Sequence, residues 1–192
     1  MQLRIDMRRA IPRAMLVSFA LACAPSWSHA QVRVGRDSST RLNRFGRDMV
    51  YGTGMGLVYG EIDQLRNDPP QWGSGWDGYR HRAMSDVGEF AIQEGTTEAL
   101  AAVWHRPLDY QRCQCHDYND RFRWALWNSF TDPMPHDRHP IAWPRIVGAY
   151  VGSFAQASWR PATSNRAGVA IGNGTLSLAI GAGINLFHEF IR

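Results

Sequence analysis

The sequence predicts an all-α protein, a compact bundle of about four to five helices. Small residues recur at intervals of three and four along several segments, and prolines or short polar turns separate those segments. No stretch alternates between apolar and polar residues as a half-buried strand would. A helical glycine costs about 1 kcal/mol relative to alanine, so repeated glycines indicate faces where another helix backbone comes close.

The first helix is expected to begin near Ser38 and to end at Arg66, after a flexible arm at 31–44. Three glycines spaced four residues apart share one of its faces: Gly52, Gly56 and Gly60. A dinucleotide-binding loop is the alternative interpretation of this glycine run. No strand pattern precedes the run, so helix packing is favoured.

The second helix is expected from about Arg82 to Trp104, with Gly88 and Gly95 on its small-residue face. A short third helix follows at about 120–130. Its composition mixes arginines with aromatic residues, which suits an anionic membrane surface. The favoured interpretation places Trp124, Trp127 and Phe130 in the core with the arginines outside.

The last two helices are expected at 145–159 and 167–191, joined by a short turn, and they should therefore be antiparallel neighbours. No charge occurs from Ala167 to Phe187. The small residues here include Gly148 and Gly152 on the fourth helix and Gly168, Gly172 and Gly183 on the fifth. Such an apolar hairpin is either buried or in contact with a bilayer. Asn173 and Asn185 lower its hydropathy and favour the buried hairpin.

The N-terminus has the layout of a secretory signal peptide at 1–30. Four arginines precede an apolar run at 14–24, and a Ser28-His-Ala30 site follows. An uncleaved anchor is the alternative. Export to the periplasm or outer cell envelope is expected, with 45–192 as a single helical domain.

The charge balance does not indicate a nucleic-acid partner. The chain has a net charge of +4, and the predicted signal peptide holds four arginines against one aspartate. Most of the excess positive charge therefore belongs to the targeting segment, and no nucleic-acid partner is expected.

One group of cysteines and histidines suggests a metal site. Zinc or copper could be held by residues of two loops: Cys113, Cys115, His116, His136 and His139. The Cys-x-Cys spacing is not the Cys-x-x-Cys that wraps easily around a tetrahedral ion. A disulfide between the two cysteines, or two polar surface loops without a ligand, are the alternatives.

A second group could support acid–base chemistry. Glu94 and Glu98 lie one helical turn apart, and His105 follows two turns later. Exposed carboxylates, or carboxylates paired with arginines, are the favoured interpretation. Because no nucleophile, base and oxyanion donor are assembled, no catalytic residues are assigned and a non-enzymatic protein is favoured.

The motifs also resemble an uncharacterised family of bacterial exported, glycine-rich helical proteins with a signal peptide. The resemblance covers roughly 75–191, and it implies no activity and no catalytic residues. It rests on 88–98, the turn His105-x-Pro107-x-x-Tyr110-x-Arg112, 121–130, and the Gly148/Gly152 and Gly168/Gly172 pairs. The expected function is structural or membrane-associated in the cell envelope. A periplasmic metal-binding or redox module is the alternative.

Overall fold

The computed structural model describes residues 38–132, 134, 139–161 and 165–191. The predicted signal peptide, the arm at 31–37 and His136 lie outside the described residues. Five helices make up the described chain: α1 (Ser38–Arg66), α2 (Trp76–Val103), α3 (Tyr118–Phe130), α4 (Trp143–Trp159) and α5 (Arg166–Phe190). A short 3-10 helix, Pro70–Trp72, lies between α1 and α2. The predicted all-α class is confirmed, and an isolated β-bridge joins Thr131 to Ile141 in the connection between α3 and α4.

The centre of the bundle is α2, which packs against α1 on one side and α4 on the other. The α5 helix packs on the far side of α4, and α3 closes the C-terminal end of α5. Hydrogen bonds between Tyr150 and Thr175 and from Asn173 to Gln156 show that α4 and α5 run antiparallel, as their short connection predicts. The helix order is therefore α1, α2, α4 and α5, with α3 at one end.

Glycines make the contact between α1 and α2 close. A Cβ atom added to Gly60 would lie 2.6 Å from the Cα of Ala83, and one added to Gly56 would lie 2.7 Å from the side chain of Val87. At Gly52 the added atom would overlap the ring of Phe90. These three glycines therefore face α2 along two turns, and only a residue without a side chain fits at this separation.

Two glycines of α4 face α2 in the same way. A Cβ at Gly152 would lie 2.8 Å from the Cβ of Gln93, and one at Gly148 would overlap the hydroxyl of Thr97. The other glycines expected at helix contacts are placed differently. Gly88 has only an ordinary contact with Trp159, and Gly168 contacts the N-cap residue Asn165 of its own helix. Within the described chain, an added Cβ would meet no atom within 4 Å at Gly95, Gly172 or Gly183.

The buried interior consists of small and polar side chains. The buried hydrophobic residues that the structure describes are all alanines, and the largest fully buried side chains include Arg82, Gln156, Glu189 and Asp132. Large apolar side chains lie mainly on the outside, among them Val50, Leu65, Trp127, Leu176 and Phe187. Close helix contacts leave room only for small apolar residues, and buried polar groups then need partners of their own.

The expectation of a buried α4–α5 hairpin holds for α4, which lies between α2 and α5, but is wrong for α5. Only 17% of the most apolar window of α5 is buried. One face of α5 packs on α4 and α3, and the opposite face is open because no further helix of the described chain covers it.

The α1 helix begins at Ser38, as its N-cap candidates predict, whereas α2 begins earlier than expected. Because α1 begins at Ser38, part of the expected arm is helical, and Arg44 of that part binds Glu98 at 2.7 Å. The α2 helix begins at Trp76, before the expected Arg82. The guanidinium of Arg82 is fully buried and donates to the carbonyl oxygens of Asp68, Pro69 and Gly73, which holds the preceding loop against the start of α2.

Candidate functional site

The loop between α2 and α3 is anchored to the end of α5 by Glu189. This carboxylate is fully buried and accepts hydrogen bonds from the Tyr110 hydroxyl at 2.8 Å, the Cys113 amide at 3.2 Å and the Arg121 Nε at 2.9 Å. Arg112 donates to the backbone oxygen of the same residue at 2.8 Å. The Tyr110-x-Arg112 turn noted in the sequence thus fixes the loop to α5. Sequence reasoning missed Glu189, although it is the only acidic residue in this helix.

Within that loop, Cys113 and Cys115 are joined by a disulfide. The amide of Cys115 donates a hydrogen bond to the sulfur of Cys113 at 3.2 Å. Both cysteines are half-buried, whereas their neighbours Gln114 and His116 are exposed. Of the alternatives left open by the sequence, the structure contains the disulfide.

The structure does not assemble the expected metal ligands. The two sulfurs bond each other, and His139 packs edge-on against the ring of Trp124, with ring centroids 5.5 Å apart. His116 is exposed, and His136 lies outside the described residues. Among the residues described, no three histidine, cysteine or acidic side chains are grouped so that they could hold a metal ion.

Beside the disulfide, α3 presents a groove, here called the α3 groove. Trp127 is 58% exposed and Phe130 is 41% exposed, so the expectation that these two residues face the core is wrong. Trp124 is half-buried and donates its indole N–H to the carbonyl of Gln111 at 2.8 Å. The groove is lined by Cys115, Asp120, Arg123, Trp124, Leu126, Trp127 and Phe130.

The inward orientation of Arg121 explains this arrangement of α3. Arg121 was expected outside, but it binds the buried Glu189 and lies over the Phe190 ring, 4.9 Å from the ring centroid. The helix face that carries Arg121 and Ser129 therefore packs on α5, and the aromatic residues on the other face remain in solvent.

The alternative of an acid–base group is not assembled either, and Glu98 is paired with arginines as the favoured interpretation expects. Glu98 pairs with Arg44 at 2.7 Å, and Arg41 lies 3.6 Å away. Burial raises the pKa of Glu94 to about 7, and the nearby carboxylates of Asp48 and Glu98 add to this effect. His105 is exposed in the turn that follows α2, where its φ is 54°, and within the described chain it forms no ion pair with either glutamate.

A polar seam runs between α2, α4 and α5. Gln156 donates to Asp86 at 2.9 Å and accepts from Asn173 at 3.2 Å. Parallel bonds join Ser153 to Glu89 at 2.6 Å and Ser177 to Gln93 at 2.7 Å. Burial raises the pKa of Asp86 to about 7, although the positive charge of Arg160 acts to lower it. The seam orients α5, because Asn173 and Ser177 of this apolar helix find their partners on α4 and α2.

The open side of α5, here called the outer face, carries the large apolar side chains Val169, Leu176, Ile184 and Phe187. It continues through Phe190 to Tyr118 of α3, whose rings lie 4.7 Å apart. Within the described chain, α5 is the one helix that is long and apolar enough to cross a membrane.

Comparison with protein-family models, with curated proteins and with solved structures finds no match to this chain.

Proposed function

We propose that this protein is an exported envelope protein that associates with a lipid bilayer through the outer face of α5 and acts in a structural role. One observation carries the proposal: an uncharged, apolar helix face that the rest of the described chain leaves in solvent. Large contiguous apolar patches on a protein surface are typical of interaction or membrane sites.

The dimensions of α5 are consistent with lipid contact. Its 25 residues correspond to about 37 Å of helix, compared with about 30 Å for the hydrocarbon core of a bilayer. The neighbouring α4 is uncharged from Ile146 to Trp159. Exposed tryptophans at both ends of α4, Trp143 and Trp159, are the residues that favour the boundary between lipid and water.

The outer side of α1 is the natural comparison within the molecule. It also exposes large apolar residues, including Val50 and Leu57. Charged residues such as Arg47 and Glu61 interrupt that side, whereas none interrupts α5 between Ala167 and Phe187. Lipid contact is therefore assigned to α5 and not to α1.

The test is fractionation of cells that express the tagged full-length chain, with a carbonate wash of the membrane pellet followed by detergent. We expect the protein to stay in the pellet until detergent is added. The double variant Leu176→Glu/Ile184→Glu should move to the soluble fraction, because each change places a charge on the outer face.

The matched control is Val50→Glu/Leu57→Glu on α1, which should remain in the pellet. Recovery of the unaltered protein in the soluble fraction would contradict the proposal. So would equal release of the α1 and α5 variants, since it would show that the outer face of α5 has no special role.

A further inference from the structure

We propose that the Cys113–Cys115 disulfide is a site of thiol–disulfide exchange, and that it oxidises the thiols of an extended polypeptide segment bound in the α3 groove. Two observations together support this proposal. A disulfide between half-buried cysteines lies in a loop, and one of the two cysteines lines an open groove of aromatic side chains. A groove alone would not define a ligand, but a disulfide at its edge reacts with thiols.

The two cysteines have unequal surroundings. The amide of Cys113 is tied to the buried Glu189 at 3.2 Å, which holds this side of the disulfide against α5. Cys115 lines the groove beside Trp124 and Trp127. A thiolate that arrives along the groove therefore meets the sulfur of Cys115 first.

The exchange balances without a further reagent. The substrate thiolate attacks Cys115 Sγ, a new S–S bond forms, and the Cys113–Cys115 bond breaks with its electron pair on Cys113 Sγ. The Cys115 amide, which donates to this sulfur at 3.2 Å, stabilises the leaving thiolate. A second substrate thiolate then attacks the substrate sulfur of the mixed disulfide and releases Cys115 as a thiolate. The substrate dithiol is oxidised and the protein disulfide is reduced, and the two protons lost by the substrate thiols are taken up by Cys113 and Cys115.

Repeated turnover requires an oxidant of the same chemical class, a low-molecular-weight disulfide, which restores the Cys113–Cys115 bond by the reverse exchange. The predicted export of the chain is consistent with such an oxidising compartment.

The groove favours a polypeptide with aromatic or aliphatic side chains near its cysteines. Trp127 and Phe130 expose large ring surfaces, and Arg123 makes no hydrogen bond or ion pair within the described chain. Apolar contacts with the rings would hold the segment, and Arg123 would be free to bind a carbonyl or carboxylate of the segment.

The first experiment asks which sulfur is attacked. The oxidised full-length protein is mixed with a synthetic peptide that contains one cysteine next to a tryptophan. The reaction is quenched with acid, free thiols are alkylated, and the tryptic fragments are sequenced by mass spectrometry. We expect the peptide on Cys115 and the alkyl group on Cys113. Attachment mainly to Cys113, or no mixed disulfide at all, would overturn the proposal.

The second experiment tests the groove with Trp127→Ala. This variant should react about tenfold more slowly with the tryptophan peptide, the factor expected when one well-packed aromatic contact is lost. Its rate with a small thiol, 2-mercaptoethanol, should not change, because that thiol does not need the groove.

Phe154→Ala is the matched control, since Phe154 is an exposed aromatic residue of α4 that does not line the groove. It should leave both rates unchanged. Circular dichroism establishes that all proteins keep their helical content. If Trp127→Ala slowed both thiols equally, or slowed neither, the assignment of the groove as the substrate site would be wrong.

Discussion

The α1–α2 contact and the outer face of α5 carry the same sequence pattern and have opposite environments. Both contain small residues at intervals of three and four. On α1 the glycines face α2 so closely that a single methyl group would overlap it. On α5 the exposed stripe that contains Gly172 and Gly183 faces away from every described helix. Small-residue spacing therefore indicates a helix face that another helix can approach closely. It does not indicate whether a helix of the same chain packs there.

Polar residues explain the difference. The inner face of α5 carries Asn173, Ser177, Asn185 and Glu189, each of which has a hydrogen-bond partner on another element. An unpartnered polar group inside a protein costs about 1–3 kcal/mol. Four such groups on one face decide which side of α5 turns inward, and the second stripe of small residues is then left outside.

The largest effect is expected from Gly60→Leu, which breaks the α1–α2 contact. The backbone of Ala83 lies where the new side chain begins, so α2 itself would have to move. We expect the free energy of unfolding to fall by about 3 kcal/mol, as for severe overpacking. Denaturant unfolding followed by circular dichroism measures this change.

Gly54→Leu is the control on the same helix, since an added Cβ there meets nothing within 4 Å in the described chain. It should raise stability by less than about 1 kcal/mol through helix propensity. Equal destabilisation by both variants would mean that the glycines of α1 matter for the helix itself and not for its contact with α2.

A smaller effect is expected from Asp86→Asn in the polar seam. The pKa of Asp86 is about 7 in the folded protein, whereas it is near 3.8 in the unfolded chain. The free energy of unfolding therefore falls as the pH rises from about 3.8 to about 7, because folding must then bury a group that is charged in the unfolded chain. Above pH 7 the loss is complete. Asp86→Asn should therefore raise the free energy of unfolding by on the order of 2 kcal/mol at pH 8, a figure reduced for the partial exposure of Asp86. At about pH 3, where Asp86 is neutral in both states, the substitution should have no such effect.

Unfolding curves measured from pH 3 to pH 8 (about the range in which carboxylates titrate) provide the measurement. Asp77→Asn is the control, because the Asp77 side chain is 83% exposed and its replacement should give no comparable gain in stability at pH 8 (about one unit above the pH at which Asp86 loses its proton). A profile that Asp86→Asn leaves unchanged would show that Asp86 titrates normally.

A third comparison uses the two faces of α5. Gly174 faces Tyr150, and an added Cβ would lie 2.6 Å from its ring. Because this ring can shift, Gly174→Ala should cost only about 1 kcal/mol. Gly172→Ala, on the open side, should instead stabilise the protein by up to about 1 kcal/mol. The midpoint of thermal unfolding of each variant measures these changes. A lower midpoint for Gly172→Ala than for Gly174→Ala would contradict the assignment of the two faces.

The smallest effect on folding is expected from Leu176→Glu/Ile184→Glu on the outer face. Leu176 is 56% exposed and Ile184 is 48% exposed, so the free energy of unfolding should change by no more than about 0.5 kcal/mol. Denaturant unfolding measures it. A large loss of stability would show that these side chains are covered in the folded protein, and the release from membranes proposed above would then have a different cause.

Much of the fold can be predicted from local signals. The glycine spacing of α1, the prolines between helices and the short connection between α4 and α5 correctly indicate an all-α bundle with an antiparallel hairpin. The site could be predicted only in part. Cys113 and Cys115 stand out in the sequence, but their bond to each other and the position of Cys115 beside the tryptophans of α3 depend on how the loop folds back.

The sequence by itself determined the fold class, the approximate helices and the presence of two small-residue faces, because these follow from interactions between residues close together in the chain. Only the tertiary structure decided which face of α5 is buried, that Arg121 turns inward to Glu189, and that the aromatic residues of α3 form a groove. Those outcomes depend on polar partners such as Glu189 and Tyr110, which are far apart in the sequence. A buried charge takes the orientation in which its partners can reach it, and periodicity along one helix carries no information about those partners.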